Sequence, residues 1–411
     1  MNNKALVPEY MRQFKCIGAE CEDTCCASWT IGVDLDTYKR YQTINHPTLT
    51  ERFKNDIVVH EQNEQVKTHY ASIRLNPQTG ACRFQEGGLC SIQAELGESY
   101  LSQTCATYPR TINEVNGTRE LSASLSCPEA ARLALLDPQG IEFAYEELHS
   151  AVNMHLNVKI NTEIADVKPI MKHFWDLRVA AIEILQNRRY PLHHRMMQLA
   201  VLADQIDERL HTSDDLAIPS LLQQFRHEIG QGAGAADAGI YPVNHPFQVR
   251  FLNDLLLSIM EKKLWYNSRY KECLDEYLQG MQLVVNSPSG EMINLYEEIY
   301  EKFYRPFMEE HEYILENYLV NHVFSSLFPL SKNETMFEKV YYLGIIFSMI
   351  RLQLIGMSAF HGGMNPELAV KLIQSFVKNF EHKQGFKQII KEKCRQEQII
   401  TLGHLSLLVN L

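Results

Sequence analysis

The chain has 411 residues and a formal net charge of −11 at neutral pH, and both numbers limit the functions open to it. A chain of this length can bury a large core and has room for two or three domains. Lysines and arginines are dispersed, without a basic stripe that could neutralise phosphates, which disfavours nucleic-acid binding. With 45% apolar and 22% charged residues, the composition is typical of a soluble globular protein.

Neither the amino terminus nor the apolar stretches indicate targeting to a membrane. The opening residues, MNNKALVPEYMRQF, lack the apolar run after a basic segment that marks a secretory signal. The longest apolar stretch, residues 343–360, contains Arg351 and Gln353, which predicts a buried helix rather than a membrane span. We therefore predict a cytoplasmic protein, in which disulfides are uncommon.

The first third of the chain is predicted to mix short strands and helices. The segment SWTIGVDLDTYKRYQ predicts a strand leading into a helix, with Asp34 or Asp36 near the helix start. In the next segment, QVKTHYASIRLNPQTGACRF, apolar and polar residues alternate, and a Pro and a Gly mark a turn. This pattern predicts a loose hairpin. A turn at Gly87 and Gly88 precedes SIQAELG, which predicts one or two helical turns ending at Gly97.

Beyond a break at Asp137-Pro138 and Gly140, the pattern becomes helical. The first long window has five apolar residues at helical spacing: Phe174, Leu177, Ala181, Ile184 and Leu185. Similar windows follow to the end of the chain, without a fixed repeat. We predict a mainly α protein, in which a small mixed α/β cysteine-rich module, residues 1–137, is docked on a large all-helical domain, residues 138–411, that binds a partner or substrate.

Cysteine is concentrated near the amino terminus, where eight of the ten cysteines of the chain lie. The first four have the spacing C-x4-C-x3-C-C, and the next three have the spacing C-x7-C-x14-C. These eight are Cys16, Cys21, Cys25, Cys26, Cys82, Cys90, Cys105 and Cys127. The other two, Cys273 and Cys394, stand alone in helical patterns and are expected to be incidental thiols.

Thiolates are soft ligands that suit zinc or an iron–sulfur cluster. The chain has neither the C-x2-C knuckles of zinc fingers nor the C-x-x-C of thiol oxidoreductases. The C-x3-C-x2-C triplet of radical enzymes is also absent, because Ser28 occupies the third place. Side chains of the adjacent Cys25 and Cys26 are expected to diverge, which favours a cluster over one small ion. Zinc, and a cysteine-rich core without metal, remain alternatives.

Three cysteine blocks carry a resemblance to a known family: FKCIGAECEDTCCASWTIGVD, CRFQEGGLCSIQAELGESYLSQTCATYPR and RELSASLSCPEAARL. Together they resemble the flagellin lysine N-methylase family and, more distantly, the broad CxxCxxCC family of zinc- or iron-chelating domains. The later segment HEYILENYLVNHVFSSLFP, residues 311–329, is similar to a block of the first family. The resemblance extends over nearly the whole chain.

The resemblance implies an enzyme that transfers methyl groups to lysine side chains of flagellin. It implies S-adenosylmethionine as the methyl donor and a four-iron four-sulfur (4Fe-4S) cluster as the cofactor, with zinc as the alternative metal. The rival interpretation is a non-catalytic metal-binding or redox-sensing module whose helical domain binds a partner. Flagellin is the expected protein partner. We expect this chain to bind no nucleic acid and to have no membrane span.

Three further residues are candidates for the site, each with a structural alternative. Arg110, in the motif CATYPR, could bind the donor's carboxylate through two parallel hydrogen bonds, or could belong to a segment that ends a helix at Pro109. Asp34 is a candidate base that could equally cap a helix. Tyr108 is the other weak candidate for a catalytic group.

Overall fold

The computed structural model describes residues 4–27, 29–61, 67–147, 156–164, 166–231, 243–262, 267–282, 290–381 and 383–410. The chain forms two compact units: the first is Met1–Ala130 with Phe143–Ile160, and the second is Ala131–Glu142 with Asn161–Leu411. The boundary predicted between residues 137 and 138 lies within Ala131–Glu142, a segment of the second unit. The chain then returns to the first unit for Phe143–Ile160. The expected class, mainly α with a small mixed amino-terminal module, is confirmed.

Short strands and helices alternate in the first unit. Its strands are β1 Lys4–Pro8, β2 Ile31–Val33, β3 Ile57–Val59, β4 Ala71–Ile73, β5 Gln85–Glu86, β6 Leu89–Cys90, β7 Arg110–Val115, β8 Thr118–Ala123, β9 Phe143–Glu147 and β10 Val158–Ile160. Its helices are α1 Tyr10–Gln13, α2 Leu35–Thr43, α3 Leu49–Asp56, α4 Ser91–Leu96, α5 Gln103–Thr107 and α6 Pro128–Leu135, the last of which continues into the second unit.

The described strands form three sheets. Five strands have the order β10-β7-β8-β1-β9, in which β1 pairs parallel with β8 and antiparallel with β9. Three have the antiparallel order β2-β4-β3, and β5 and β6 form a small hairpin. The β2-β4-β3 sheet and helices α2 and α3 enclose a core that includes Tyr41 and Phe53, whose rings stack 4.2 Å apart.

The sequence correctly predicted several local elements of this unit. The strand and helix expected around Asp34 are β2 and α2, and Asp34 is the residue that precedes the helix. The expected turn has positive φ at both Gly87 and Gly88, the backbone form that matches a two-residue hairpin. The following helix, α4, ends where Gly97 adopts φ 90°.

The second unit is built of helices. They are α7 Pro169–Lys172, α8 Phe174–Leu185, α9 Leu192–His211, α10 Ile218–Gly230, α11 His245–Glu261, α12 Ser268–Gly280, α13 Gly290–Ile299, α14 Arg305–His311, α15 Tyr313–Ser325, α16 Met336–His361, α17 Pro366–Phe380, α18 Gln384–Glu397 and α19 Leu402–Val409. A π-helical segment, Tyr300–Tyr304, joins α13 to α14. All five apolar residues expected on one side of α8 are buried.

Helix α16 is largely buried in the second unit, as its long apolar stretch predicts. Among the described helices it alone is long and apolar enough to cross a membrane by composition, but 83% of its most apolar window is buried inside the protein. Arg351 is buried on this helix and donates hydrogen bonds to the carbonyls of Leu408 and Val409 at the end of α19. Gln353, also buried, accepts a 2.8 Å hydrogen bond from the Tyr270 hydroxyl. The two polar residues that interrupt the apolar run therefore have polar partners inside the unit.

Helices α12 and α16 pack closely because glycines lie at their contact. A Cβ atom added to Gly280 would be 1.9 Å from the carbonyl oxygen of Gly356, and one added to Gly356 would be 2.4 Å from Cδ2 of Tyr277. No side chain fits at either position without moving a backbone.

Candidate functional site

All ten cysteines lie among the described residues and are thiols, with no disulfide between them. Cys21 follows a short 3₁₀ turn, Gly18–Glu20, and its thiol donates to the Asp23 carbonyl at 3.2 Å. Cys25 and Cys26 share the next turn, where the Thr24 hydroxyl accepts a hydrogen bond from the Cys26 N–H. Their Sγ atoms lie 3.9 Å apart, so the expectation that these adjacent side chains diverge was wrong.

Backbone pairing joins this turn to the second group of cysteines. The Cys26 carbonyl accepts a 2.6 Å hydrogen bond from the N–H of Cys82, and Ala27 forms a bridge with Ala81. Three residues beyond Cys82 the chain enters the β5–β6 hairpin, in which Gln85 pairs with Cys90. The hairpin therefore returns Cys90 toward the region of Cys82, although seven residues separate them.

Two helix starts position the remaining cysteines of the module. The Ser102 hydroxyl caps α5 and accepts from the N–H of Cys105 at 3.3 Å. Cys127 precedes α6, and its sulfur accepts hydrogen bonds from the first free N–H groups of that helix, on Glu129 and Ala130. A helix start stabilises a negatively charged sulfur, because its N–H groups and dipole point toward the sulfur.

The thiols of six of these cysteines interact electrostatically across segments that are far apart in the sequence. One set comprises Cys82, Cys90 and Cys105, since a charge on Cys90 raises the pKa of the other two. A second set comprises Cys21 and Cys127. Cys25 belongs to both, because its charge raises the pKa of Cys21, Cys105 and Cys127. Electrostatic interactions therefore link Cys25 to Cys21, Cys105 and Cys127, and link Cys105 in turn to Cys82 and Cys90.

Burial keeps several of these thiols protonated in the absence of a bound cation. It raises the pKa of Cys82 to about 11 and that of Cys105 to about 12. Burial likewise raises the pKa of Cys127 to about 12, despite the hydrogen bonds from α6. A buried thiolate needs a compensating positive charge, which a coordinated metal supplies.

Trp29 and Tyr108 connect the cysteine segments. The indole N–H of Trp29 donates a 2.6 Å hydrogen bond to the Cys25 carbonyl, and its ring lies 5.7 Å from that of Tyr108. The Tyr108 hydroxyl is 3.0 Å from the Ser126 hydroxyl, next to Cys127. Neither Trp29 nor Ser126 was among the predicted site residues. The available signal was that one of only three tryptophans in the chain lies three residues after the double cysteine.

The candidate bases have structural contacts. Both oxygens of the buried Asp34 carboxylate accept backbone hydrogen bonds, one from Thr37 at 2.9 Å and one from Gln103 at 3.0 Å. Burial raises its pKa, but these hydrogen bonds outweigh that effect and the pKa lies below the ordinary value. Burial, followed by the charge of Cys127, raises the pKa of Tyr108 well above 10. These contacts favour helix capping for Asp34, and a catalytic role for either residue stays a prediction.

Arg110 is the first residue of β7, directly after Pro109 and the end of α5. Its guanidinium lies over the ring of Phe14, 5.2 Å from the centroid, and is half-buried. Among the described residues no carboxylate pairs with it. The guanidinium therefore keeps donors for an external carboxylate, and the predicted role in donor binding stays a prediction.

Cys16 and the two lone cysteines differ from this group. Cys16 is exposed and, within the described ranges, contacts no other thiol. Cys273 and Cys394 are buried in α12 and α18 of the second unit. No group of three or more Cys, His, Asp or Glu side chains in the described part of the chain closes around a single point as one metal ion requires.

Comparisons with known proteins give one family model and several curated relatives. The model of the FliB lysine N-methylase C-terminal domain matches residues 178–408, more than half of the chain. The flagellar biosynthetic protein FliU of Salmonella muenchen is 32% identical over 135 residues, which cover 33% of this chain and 78% of FliU. Two proteins named lysine-N-methylase, from Salmonella typhimurium and Salmonella choleraesuis, are 32% and 31% identical over 135 residues.

The match spans one third of the length of each of these two lysine-N-methylases. No solved structure matches the chain. The family model covers most of the helical unit, and FliU is matched over more than two thirds of its own length. The chain therefore belongs to the FliB lysine N-methylase family.

Proposed function

We propose that the chain is an S-adenosylmethionine-dependent protein lysine N-methyltransferase that methylates flagellin lysines in the cytoplasm. Two kinds of observation support this. The relatives are named lysine-N-methylase and flagellar biosynthetic protein. The first unit also holds soft sulfur donors from four separate segments, and their thiols interact electrostatically.

The observation that carries the proposal is the convergence of thiols on Cys25. A single zinc ion needs four donors at roughly 2.0–2.3 Å from one point, and no described triplet is arranged in that way. A 4Fe-4S cluster is a larger body that accepts one thiolate on each iron, so its donors lie further apart. The thiolate chemistry, and the lack among the described residues of three donors around one point, support the cluster over one ion. Cys21, Cys25, Cys105 and Cys127 would be its first candidates.

The chemistry that such a site must support is simple to state. A lysine side chain with a pKa of about 10.4 is protonated at neutral pH, so it must lose a proton before it can react. The nitrogen lone pair then forms a bond to the methyl carbon of the sulfonium, while the carbon–sulfur bond breaks and its electron pair stays on sulfur. If only three of these thiolates held the cluster, its fourth iron would be open and would supply chelation of the donor's amino and carboxylate groups. Arg110 is the residue of this chain best suited to hold that carboxylate.

The test is the mass of flagellin lysines after co-expression with this chain. We expect a gain of one or more methyl groups with the wild type, and loss of that gain with Cys25→Ser. Cys273→Ser is the matched control, because Cys273 is a buried thiol of the second unit and should leave methylation intact. Unchanged lysine masses with a folded, cluster-loaded wild type would instead favour a metal-binding or redox-sensing module without methyl transfer.

A further inference from the structure

Trp29 is a half-buried aromatic residue whose indole N–H donates to the backbone carbonyl of Cys25. We propose that the ring faces of Trp29 and Tyr108 receive the alkylammonium of the substrate lysine. This inference rests on the proposed function and names the residues that contact its protein substrate. Cations are attracted to aromatic faces within about 6 Å of the ring centroid, and tryptophan attracts them best.

The geometry of the ring pair suits this role. The two rings lie 5.7 Å apart and are tilted by 34°, so they are not stacked flat on each other. Both residues keep partial solvent exposure, although the Tyr108 hydroxyl itself is buried. The Tyr108 hydroxyl is held by Ser126 and the Trp29 indole N–H by the Cys25 carbonyl, so both rings are fixed before a ligand arrives. A fixed receptor loses less side-chain entropy on binding.

The charges around the pair have the sign that an ammonium requires. Asp23 lies in the loop between Cys21 and Cys25, and its carbonyl accepts a 3.2 Å hydrogen bond from the Cys21 thiol. Glu20 and Glu22 are exposed in the same loop. An acidic loop beside aromatic faces attracts a protonated lysine and disfavours an anionic side chain. Because methylation spreads the positive charge over less hydrated groups, the same surface accepts the methylated product.

Trp29 also has a structural role, because its indole N–H donates a hydrogen bond to the Cys25 carbonyl. The test must separate this structural role from the proposed contact with lysine. Trp29→Phe and Trp29→Leu both lose this hydrogen bond, but only the leucine variant loses the aromatic face. The dissociation constants of both cluster-loaded variants for purified flagellin, measured by calorimetry without oxygen, therefore isolate the contribution of the ring. Flagellin with acetylated lysines is the neutral ligand control.

The same pair of substitutions at Tyr38 is the matched protein control. Tyr38 belongs to another half-buried ring pair in the first unit, with Tyr70 at 5.1 Å, and packs on the same core. We expect Trp29→Leu to bind flagellin about 2- to 30-fold more weakly than Trp29→Phe. We expect no such difference with acetylated flagellin, nor between Tyr38→Phe and Tyr38→Leu.

The outcomes distinguish this inference from the function on which it rests. If wild-type protein methylates flagellin but the Phe and Leu variants at position 29 bind it equally, the lysine contacts other residues. A difference that persists with acetylated flagellin would also overturn the inference, because the ring would then act on something other than charge. Wild-type protein that leaves flagellin unmethylated would overturn the proposed function itself.

Discussion

The Sγ atoms of Cys25 and Cys26 lie 3.9 Å apart, yet the two thiols have different surroundings. Cys25 is exposed and interacts with the thiols of Cys21, Cys105 and Cys127, whereas Cys26 packs against the apolar core of the first unit. We therefore expect Cys25→Ser to remove most of the bound iron, and Cys26→Ser to retain it. The measurement is iron and acid-labile sulfide per chain after anaerobic purification. Equal losses from both variants would contradict this assignment of the ligand.

Substitution of Gly280 should destabilise the helical unit strongly. A Cβ atom there would lie 1.9 Å from a backbone oxygen of α16, and backbones cannot yield as the end of a side chain can. We expect Gly280→Ala to lower the free energy of unfolding by about 3 kcal/mol, at the upper end of overpacking effects. The control is Gly230→Ala, since nothing lies within 4 Å of a Cβ at that position. Urea denaturation followed by circular dichroism measures both, and equal midpoints would refute the close contact.

A buried ion pair should matter far more than an exposed one in this protein. Arg195 and Glu316 are each 1% exposed and pair at 2.6 Å, and Glu316 also accepts hydrogen bonds from Arg188. Arg195→Met leaves buried carboxylate charge less compensated, and we expect a cost of about 3 kcal/mol. The exposed pair of Arg226 and Glu183 provides the control, and Arg226→Met should cost at most about 1 kcal/mol. Similar denaturation midpoints for the two variants would count against the buried network.

Stability should fall on mild acidification partly because of one histidine. Burial, together with the charges of His194, Arg351 and Arg195, lowers the pKa of His193 to about 3. The unfolded chain takes up a proton near pH 6.5 that the folded chain rejects, so this contribution is complete above pH 6.5 and declines as the pH falls toward 3. Between pH 7 and 5 the loss should be on the order of 1–2 kcal/mol.

His193→Asn should reduce the pH dependence of unfolding by that amount. The wild type and the His193→Asn variant share all other titrating groups. The difference between their plots of unfolding free energy against pH therefore isolates the contribution of His193. Unfolding free energies measured at pH 7, 6 and 5 provide the comparison, and parallel curves would show that His193 is not protected from protonation.

Local patterns in the sequence predicted much of the fold. The buried helix over residues 336–361 was predictable from the apolar stretch at 343–360. Arg351 and Gln353 interrupt that stretch but are accommodated, because each has a polar partner inside the unit. The helix cap at Asp34 and the turn at Gly87 and Gly88 were predictable, because caps and tight turns depend on residues only a few positions apart. The five-stranded sheet was not predicted, since β1 pairs with strands more than 100 residues away.

The candidate site was predictable in composition but not in geometry. The cysteine spacing indicated a soft-ligand site, but which thiols meet depends on the hairpin and helix starts that carry Cys82, Cys90, Cys105 and Cys127. Adjacent positions in the sequence predict divergent side chains for Cys25 and Cys26, but the turn that contains both residues brings their sulfurs to 3.9 Å. Trp29 was missed because its hydrogen bond to Cys25 is set by the conformation of a loop.

The most direct measurement of the central claim is the anaerobic absorbance spectrum of the purified protein, with iron and acid-labile sulfide quantified in the same sample. We expect broad sulfur-to-iron charge-transfer absorption and about four iron and four sulfide per chain, as one 4Fe-4S cluster requires. Zinc without sulfide, or a colourless protein free of metal after anaerobic purification, would contradict the proposal that the converging thiols bind an iron–sulfur cluster.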